Sequence, residues 1–178
     1  RVLDEGSAPR YQSLALGKVR FQVVPTRDGF PMESLLVLPS DFDPKKSYPV
    51  FHHLYGGPLI PQVLNSFGRD SLWFHFLAQQ VWVVWVCDNR SASNKGMASA
   101  QGVHRKLGQQ ELEDQLDGLA WLKKQGWADM SRVVMEGWSF GGFMTLYALT
   151  HSEAWKAGIA GAPVTDWRLY DSVYTERY

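Results

Sequence analysis

The sequence predicts an α/β fold in which helices cover both faces of a mainly parallel sheet. Strand-like and helix-like segments alternate along most of the 178 residues, a pattern typical of this class. Residues 81–86 are apolar on both sides of the strand they would form, as in parallel sheets buried under helices. Apolar residues make up 45% and aromatic ones 13% of the chain, which is sufficient for a packed core.

The first half of the chain predicts a hairpin and then a single strand. Residues 19–23 alternate apolar and polar side chains, a turn-forming sequence follows, and residues 34–38 form a second strand-like run. Residues 50–54 predict a third strand that runs into the glycine-containing segment 55–58. Residues 1–17 lack periodicity and are expected to be a linker or approach segment.

The next pair of elements is a helix followed by the two-sided apolar strand. Residues 70–80 suit a helix, and Leu72, Phe76 and Leu77 are the side chains expected on its buried face. The strand predicted at 81–86 follows directly.

The second half continues the alternation. Residues 109–125 predict a helix, because Leu112, Leu116, Leu119 and Ala120 recur at helical spacing and Gly126 provides a stop signal. Three more elements are expected after it: a strand at 133–135, a helix at 141–150 and a strand at 157–162.

Composition excludes several functional classes. The 18 basic and 18 acidic residues give zero net charge, so we expect no nucleic-acid partner. The longest apolar run, six residues at 81–86, is far below the ~20 residues of a membrane span. The single cysteine, Cys87, rules out an internal disulfide and a cysteine-built zinc site, and we expect no metal or cofactor.

Residues 137–141 read Gly-Trp-Ser-Phe-Gly and match the pattern G-x-S-x-G. In α/β-hydrolases this pattern forms the sharp strand-to-helix turn that presents a nucleophilic serine above the sheet. The predicted strand before it and the predicted helix after it supply the context that the motif requires. Ser139 is therefore the candidate nucleophile, with a glycine-rich structural turn as the alternative.

A serine that attacks a carbonyl group also needs hydrogen-bond donors for the developing oxyanion. The backbone N–H of Phe140, at the predicted helix N-terminus, is one candidate. The second should come from the loop after an early strand, where Tyr55, Gly56 and Gly57 lie. Either a glycine N–H or the Tyr55 hydroxyl could serve, and a tight turn with a packing tyrosine is the alternative.

The general base is harder to place. In this fold the acid and the histidine of the triad follow the serine in the sequence. The only histidine after Ser139 is His151. Twelve positions along one helix would place it roughly 18 Å from Ser139. His52 and His53 are expected in core packing or in a loop hydrogen bond. Only 39 residues follow Ser139, and one more strand–helix–strand unit needs ~30. We therefore expect a hydrolase truncated after the nucleophile helix region.

Three segments resemble the catalytic domain of the prolyl oligopeptidase family of serine peptidases, in its dipeptidyl peptidase IV branch. They are residues 137–143, residues 158–164 and, most specifically, the stretch Tyr-Asp-Ser-Val-Tyr-Thr-Glu-Arg-Tyr at 170–178. The resemblance extends back to about Phe21. It implies that residues 18–178 are the N-terminal part of this domain. The family's β-propeller and the Asp and His of its triad are not in the chain, so these 178 residues alone are expected to be inactive.

The resemblance also implies roles for individual residues. Ser139 would be the nucleophile, and the Tyr55 hydroxyl would be the oxyanion donor beside the Phe140 N–H. An apolar pocket for proline or alanine would be walled by Phe140, Val164, Trp167, Tyr170 and Tyr174. Flat aromatic faces suit a pyrrolidine ring, although ordinary core packing would also account for these aromatic residues.

The function implied by the resemblance is removal of N-terminal dipeptides after Pro or Ala through an acyl-enzyme, with peptides as the substrate partner. Alternatives on the same fold are an acylaminoacyl peptidase, a prolyl endopeptidase or a carboxylesterase, and from another class a non-catalytic hydrolase-like scaffold. The resemblance is compatible with a homodimer. It favours a periplasmic or secreted location and leaves a cytoplasmic one open.

Overall fold

The computed structural model describes residues 13–68 and 70–178. They contain one six-stranded sheet with the order β1-β2-β4-β3-β5-β6. The strands are β1 Lys18–Pro25, β2 Pro31–Leu38, β3 Tyr48–His53, β4 Val83–Cys87, β5 Ala128–Trp138 and β6 Ala157–Gly161.

The sheet is mixed, with its parallel part at the centre and one edge. β1 pairs with β2, and β2 with β4, in antiparallel register, so the predicted hairpin is confirmed. β4, β3, β5 and β6 are parallel neighbours. Because parallel strands end at the same edge, the loops that follow β3, β4 and β5 come together there.

Helices cover both faces, and the predicted fold class is confirmed. Within the described residues the α-helices are α1 Ser71–Gln79, α2 Met97–Gln101, α3 Gln109–Lys124, α4 Phe140–His151 and α5 Ser172–Thr175. Val83, Trp85 and Cys87 of β4 lie in the core that includes apolar residues of α3 and α4. Val84 and Val86 pack in the second core with α1. This alternation at period two explains why β4 is apolar throughout.

The buried face of α1 differs from the prediction. Leu72 and Phe76 are 45% and 49% exposed, whereas Phe74, Leu77 and Ala78 are buried. Six of the nine residues of this helix are apolar and they lie on more than one face, so their spacing did not identify the buried side. Contact with β2 and β4 determines which side is buried.

The buried face of α3 carries polar side chains as well as the predicted leucines. Leu112 and Leu119 are buried as expected, but Ala120 is exposed. Asp114 is fully buried and accepts hydrogen bonds from the Arg90 guanidinium at 2.8–3.0 Å. Helix α3 is therefore tied to the loop after β4 by a buried ion pair.

The predicted linker falls largely outside the described residues, which begin at 13. Residues 13–17 form no helix or strand, and the Gly17 N–H donates to His75 Nδ1 at 3.0 Å. Among the helices of residues 13–68 and 70–178, none has the length and hydropathy that a membrane crossing requires.

Candidate active site

Ser139 occupies a sharp turn between a strand and a helix. β5 ends at Trp138 and α4 begins at Phe140, which leaves Ser139 alone between them with φ +58° and ψ −115°. A non-glycine residue rarely adopts a positive φ. Its N–H donates to the Gly161 carbonyl at 2.9 Å, so β6 helps to hold the strained residue in place.

The two glycines of the motif are required by close backbone contacts. A Cβ on Gly137 would lie 2.5 Å from the Leu54 carbonyl oxygen, and a Cβ on Gly141 would overlap that same oxygen and lie 3.1 Å from Tyr55 Cα. No side chain fits at either position. The serine turn is thus packed directly against the start of the loop that follows β3.

That loop, residues 54–58, is held by a buried polar network. Asn89 Nδ2 donates to the Gly56 carbonyl at 3.1 Å and to Ser91 Oγ at 2.7 Å, while Gln115 Nε2 donates to the Cys87 carbonyl at 2.9 Å. Gly56 has φ +76°, which suits glycine. The network joins the loops after β3 and β4 to helix α3.

The Tyr55 side chain is half-buried and faces the serine turn. A Cβ on Gly57 would lie only 2.5 Å from Tyr55 Cε1, so this glycine makes room for the ring. Burial, together with the electrostatic effect of Tyr170, raises the pKa of the Tyr55 hydroxyl. The Tyr55 ring lies 6.0 Å from the ring of Phe140, the residue after Ser139, so Tyr55 packs beside the serine turn, where an oxyanion donor must lie.

A cavity of about 230 Å³ opens beside Ser139. Of the five residues predicted as pocket walls, Val164 and Tyr170 line it. Its other lining residues come from the loop after β6: Ala162, Pro163, Thr165, Asp166 and Leu169. A roomier cavity of about 480 Å³ near His53 and His75 contains none of the predicted site residues.

The remaining three predicted wall residues form an aromatic cluster next to this cavity. The Trp167 ring lies 5.6 Å from Phe140 and stacks on Tyr174 at 5.9 Å, and Tyr170 lies 5.6 Å from Tyr174. Phe140 is only 2% exposed, so its ring packs in the core. The structure brings all five predicted residues into one region, and their role in binding stays a prediction.

Among residues 13–68 and 70–178, no histidine forms a hydrogen bond with Ser139. His52 is buried and accepts from Trp155 Nε1 at 3.1 Å, and burial lowers its pKa to about 3. His53 Nδ1 lies 2.6 Å from Glu136 Oε2. His151 stacks on Tyr147 at the far end of α4. His104 is exposed.

Sequence reasoning did not assign a role to several residues that shape the site. Asn89 and Gln115 hold the loop after β3, and the Asp88 carboxylate accepts from the Gln62 and Val63 N–H groups at 2.8 and 3.0 Å. Burial raises the pKa of Asp88 to about 6. The sequence signal that could have identified Asp88 and Asn89 as site residues is their position directly after β4, at the edge of the sheet where the parallel strands end.

A serine in a strained strand-to-helix turn, above a mainly parallel sheet with the strand order described, defines an α/β-hydrolase. The chain belongs to the prolyl oligopeptidase family, whose model matches residues 69–178.

Named relatives and a solved structure agree with this membership. The chain is 41% identical to mouse dipeptidyl peptidase 8 over 153 residues and 40% identical to the human protein of that name over 153 residues, which is 84% of this chain in both cases. Porphyromonas gingivalis dipeptidyl peptidase 4 aligns with all of the chain at a TM-score of 0.90 and 36% identity. The chain spans 17% of the length of the two relatives and 26% of the solved chain.

Proposed function

We propose that the protein carrying this chain is a serine peptidase that removes N-terminal dipeptides after proline or alanine. The observation that carries the proposal is the packing of Tyr55 against the turn that holds Ser139, at the mouth of a cavity lined by Val164 and Tyr170. The names of the similar proteins support a dipeptidyl peptidase over the esterases and endopeptidases that share this fold.

In the proposed reaction, Ser139 Oγ attacks the scissile carbonyl and transfers its proton to a general base. The oxyanion then accepts hydrogen bonds from the Tyr55 hydroxyl and the Phe140 N–H. Collapse releases the amine product, to which the base returns the proton, and leaves the dipeptide as an ester on Ser139. Water hydrolyses that ester with the same base and regenerates the hydroxyl.

We propose that the general base lies outside these 178 residues. His52 is buried and neutral, His53 is paired with Glu136, and His151 lies at the opposite end of α4 from Ser139. His75 is engaged by the Gly17 N–H. The fifth histidine, His104, is exposed and does not line the cavity beside Ser139. None of the five histidines is therefore hydrogen-bonded to Ser139 Oγ, as a general base must be.

The proposed preference for proline rests on the apolar side chains that Val164 and Tyr170 contribute to the cavity lining. Tyr170 and Val164 offer apolar surface, and the single carboxylate in the lining, Asp166, is hydrogen-bonded to the Arg168 guanidinium at 2.9 Å. A proline ring fits such a surface without losing hydrogen bonds.

The test is release of p-nitroaniline from Gly-Pro and Ala-Pro anilides by the protein that carries this chain. We expect turnover that Ser139→Ala reduces by several orders of magnitude, whereas Ser152→Ala, at the other end of α4, leaves it unchanged. Blocking the substrate's amino group should prevent cleavage. Faster cleavage of blocked peptides or of simple esters would replace the dipeptidyl peptidase proposal with an endopeptidase or an esterase.

A further inference from the structure

The cavity beside Ser139 has a carboxylate in its wall. Asp166 lines this cavity together with the serine, and the other lining residues carry apolar or hydroxyl-bearing side chains. The Asp166 side chain is 31% exposed. A carboxylate at such a position attracts a cationic side chain of a substrate and repels an anionic one. The net charge at Asp166 therefore affects which substrate residues the cavity can accept.

The charge of Asp166 is neutralised by a residue two positions further along the chain. Arg168 Nε donates to Asp166 Oδ1 at 2.9 Å and to Oδ2 at 3.1 Å, and Arg168 Nη2 also donates to Oδ2. The guanidinium is thus bonded to both oxygens, as in the strongest arginine–carboxylate pairs. The side-chain and backbone hydrogen bonds from Arg168 lower the pKa of Asp166 to about 2. The carboxylate is therefore ionised at neutral pH, and the guanidinium balances its charge.

The backbone also holds Asp166 in place, independently of the guanidinium. Asp166 Oδ1 accepts a hydrogen bond from the Arg168 N–H at 3.0 Å, and this bond caps the short 3₁₀ helix Trp167–Leu169. Aspartate is common in this capping role. The N–H remains when another residue replaces Arg168. Asp166 should therefore keep its position in the cavity wall when the guanidinium is removed.

The Arg168 side chain has one defined contact. It is 88% exposed, and within residues 13–68 and 70–178 its hydrogen bonds and its ion pair all involve Asp166. Exposed ion pairs of this kind contribute little to the stability of a fold. Removing the Arg168 side chain should therefore change the charge of the cavity wall without disturbing the rest of the structure.

We propose that Arg168 is a specificity-determining residue, which keeps cationic side chains out of the cavity beside Ser139 by occupying the carboxylate of Asp166. With the guanidinium in place, the ammonium group of a lysine side chain has no free anion to bind and is repelled by the arginine. Proline and alanine carry no charge and are accepted with the pair intact. The proposal rests on the proposed function, because it concerns the substrate residue before the scissile bond.

The effect of charge can be measured separately from the effect of size. Lysine and norleucine have unbranched side chains of similar length, but only lysine carries an ammonium group. The ratio of kcat/KM for Ala-Lys anilide to that for Ala-norleucine anilide, the Lys:Nle ratio, therefore reports the charge preference of the cavity. A general loss of catalytic efficiency lowers both values and cancels in this ratio.

The experiment determines the Lys:Nle ratio for variants of the protein that carries this chain. We expect Arg168→Ala to raise the ratio by about 3- to 10-fold, because it removes a repelling cation and frees an anion. Adding Asp166→Asn to Arg168→Ala should abolish this gain, while the asparagine oxygen can still accept the backbone hydrogen bond. Where turnover of either anilide is too slow to measure, the same ratio is taken from their inhibition of Ala-Pro anilide cleavage.

Arg132→Ala is the matched control. Arg132 also forms an exposed ion pair with a nearby aspartate, Asp129, at 2.7 Å. Both residues lie near the start of β5, whereas Ser139 follows the end of that strand. Arg132→Ala therefore changes the net charge of the protein by the same amount as Arg168→Ala and should leave the Lys:Nle ratio unchanged.

The possible outcomes distinguish this inference from the proposed function. An unchanged ratio in Arg168→Ala overturns the role of Arg168, and so does an equal rise in Arg132→Ala, which would reflect net charge alone. A gain that persists after Asp166→Asn overturns the role of Asp166. A wild-type protein that prefers lysine to norleucine also contradicts the exclusion. A wild-type protein that releases no dipeptides from any anilide contradicts the proposed function, and this inference with it.

Discussion

Asn89 donates a hydrogen bond from Nδ2 to the backbone carbonyl of Gly56, 3.1 Å away and fully buried. This bond joins the loop after β4 to the loop that carries Tyr55. Because Gly56 directly follows Tyr55, the amide of Asn89 fixes the backbone from which the proposed oxyanion donor projects. The position of the Tyr55 side chain thus depends on a buried amide in the neighbouring loop.

Replacing Asn89 by alanine should impair both stability and activity. The Gly56 carbonyl would lose its buried donor, which costs about 1–3 kcal/mol, and displacement of the Tyr55 loop should lower kcat by about 10- to 100-fold. Urea unfolding and steady-state kinetics measure the two effects. Asn65→Ala, at an exposed loop position, is the control, and equal effects in both variants would contradict the role of Asn89.

Tyr55→Phe tests the oxyanion donor itself. The hydroxyl bond strengthens as negative charge develops, so its loss should lower kcat by ~10²–10³ and change KM little. Steady-state kinetics with an Ala-Pro anilide separate the two constants. A change confined to KM would assign Tyr55 to substrate binding, and no change would transfer the role to a backbone N–H of Gly56 or Gly57.

Gly141→Ala should prevent the site from assembling. Alanine normally favours a helix over glycine by about 1 kcal/mol, but here its Cβ would overlap the Leu54 carbonyl oxygen. We expect a loss of more than ~2 kcal/mol of stability and of most activity. Gly102→Ala is the matched control, because its φ is −57° and the nearest atom to a new Cβ is 3.5 Å away. Comparable melting temperatures for the two variants would refute the expectation.

Glu111 should make the protein less stable as the pH rises. Burial raises its pKa from 4.5 to about 8, against the opposing effect of hydrogen bonds from backbone N–H groups. Between these values the folded state binds more protons than the unfolded state, so this contribution is fully present below pH 4.5 and lost as the pH passes 8. The stability of Glu111→Gln relative to wild type should therefore increase from pH 5 to pH 9. A pH-independent difference in urea midpoints would count against a raised pKa.

Tyr170→Ala tests the wall of the cavity beside Ser139. Removing the ring should lower kcat/KM for Ala-Pro anilide by about 10- to 200-fold and relax the exclusion of leucine at the same position. Val173→Ala, whose side chain is 84% exposed and outside the cavity lining, should change neither. The panel of anilides that differ only in the residue before the scissile bond provides the measurement, and unaltered selectivity would place Tyr170 outside the binding site.

The elements of the sheet could be predicted because each carries a local signal. Strand β4 is a short, continuously apolar segment, and α3 has leucines at helical spacing and a glycine stop. The buried face of α1 was predicted only in part: Leu77 is buried as expected, but Leu72 and Phe76 are exposed, and tertiary contact with β2 and β4 buries Phe74 instead.

The residues of the candidate site also divide into those with a local sequence signal and those without one. Ser139 and Tyr55 lie in glycine-rich segments, and glycine is typical of places where two stretches of backbone come close together. This signal can be recognised from a single sequence. Asn89 and Gln115 gain their significance from hydrogen-bond partners 26 to 33 positions away in the sequence. Polar residues of that kind have no local signature, because the same letters on a helix surface would be solvated.

The overlap that forbids a side chain at Gly141 has a further consequence for motion. With the Leu54 carbonyl in close contact with the first turn of α4, we expect the Ser139 turn and the Tyr55 loop to open together. The Leu54 amide, bonded to Glu136, and the Ser139 amide, bonded to Gly161, should exchange their protons with solvent in the same rare opening event, as members of one cooperative unit. The reacting groups would then keep their mutual alignment through every fluctuation smaller than that opening.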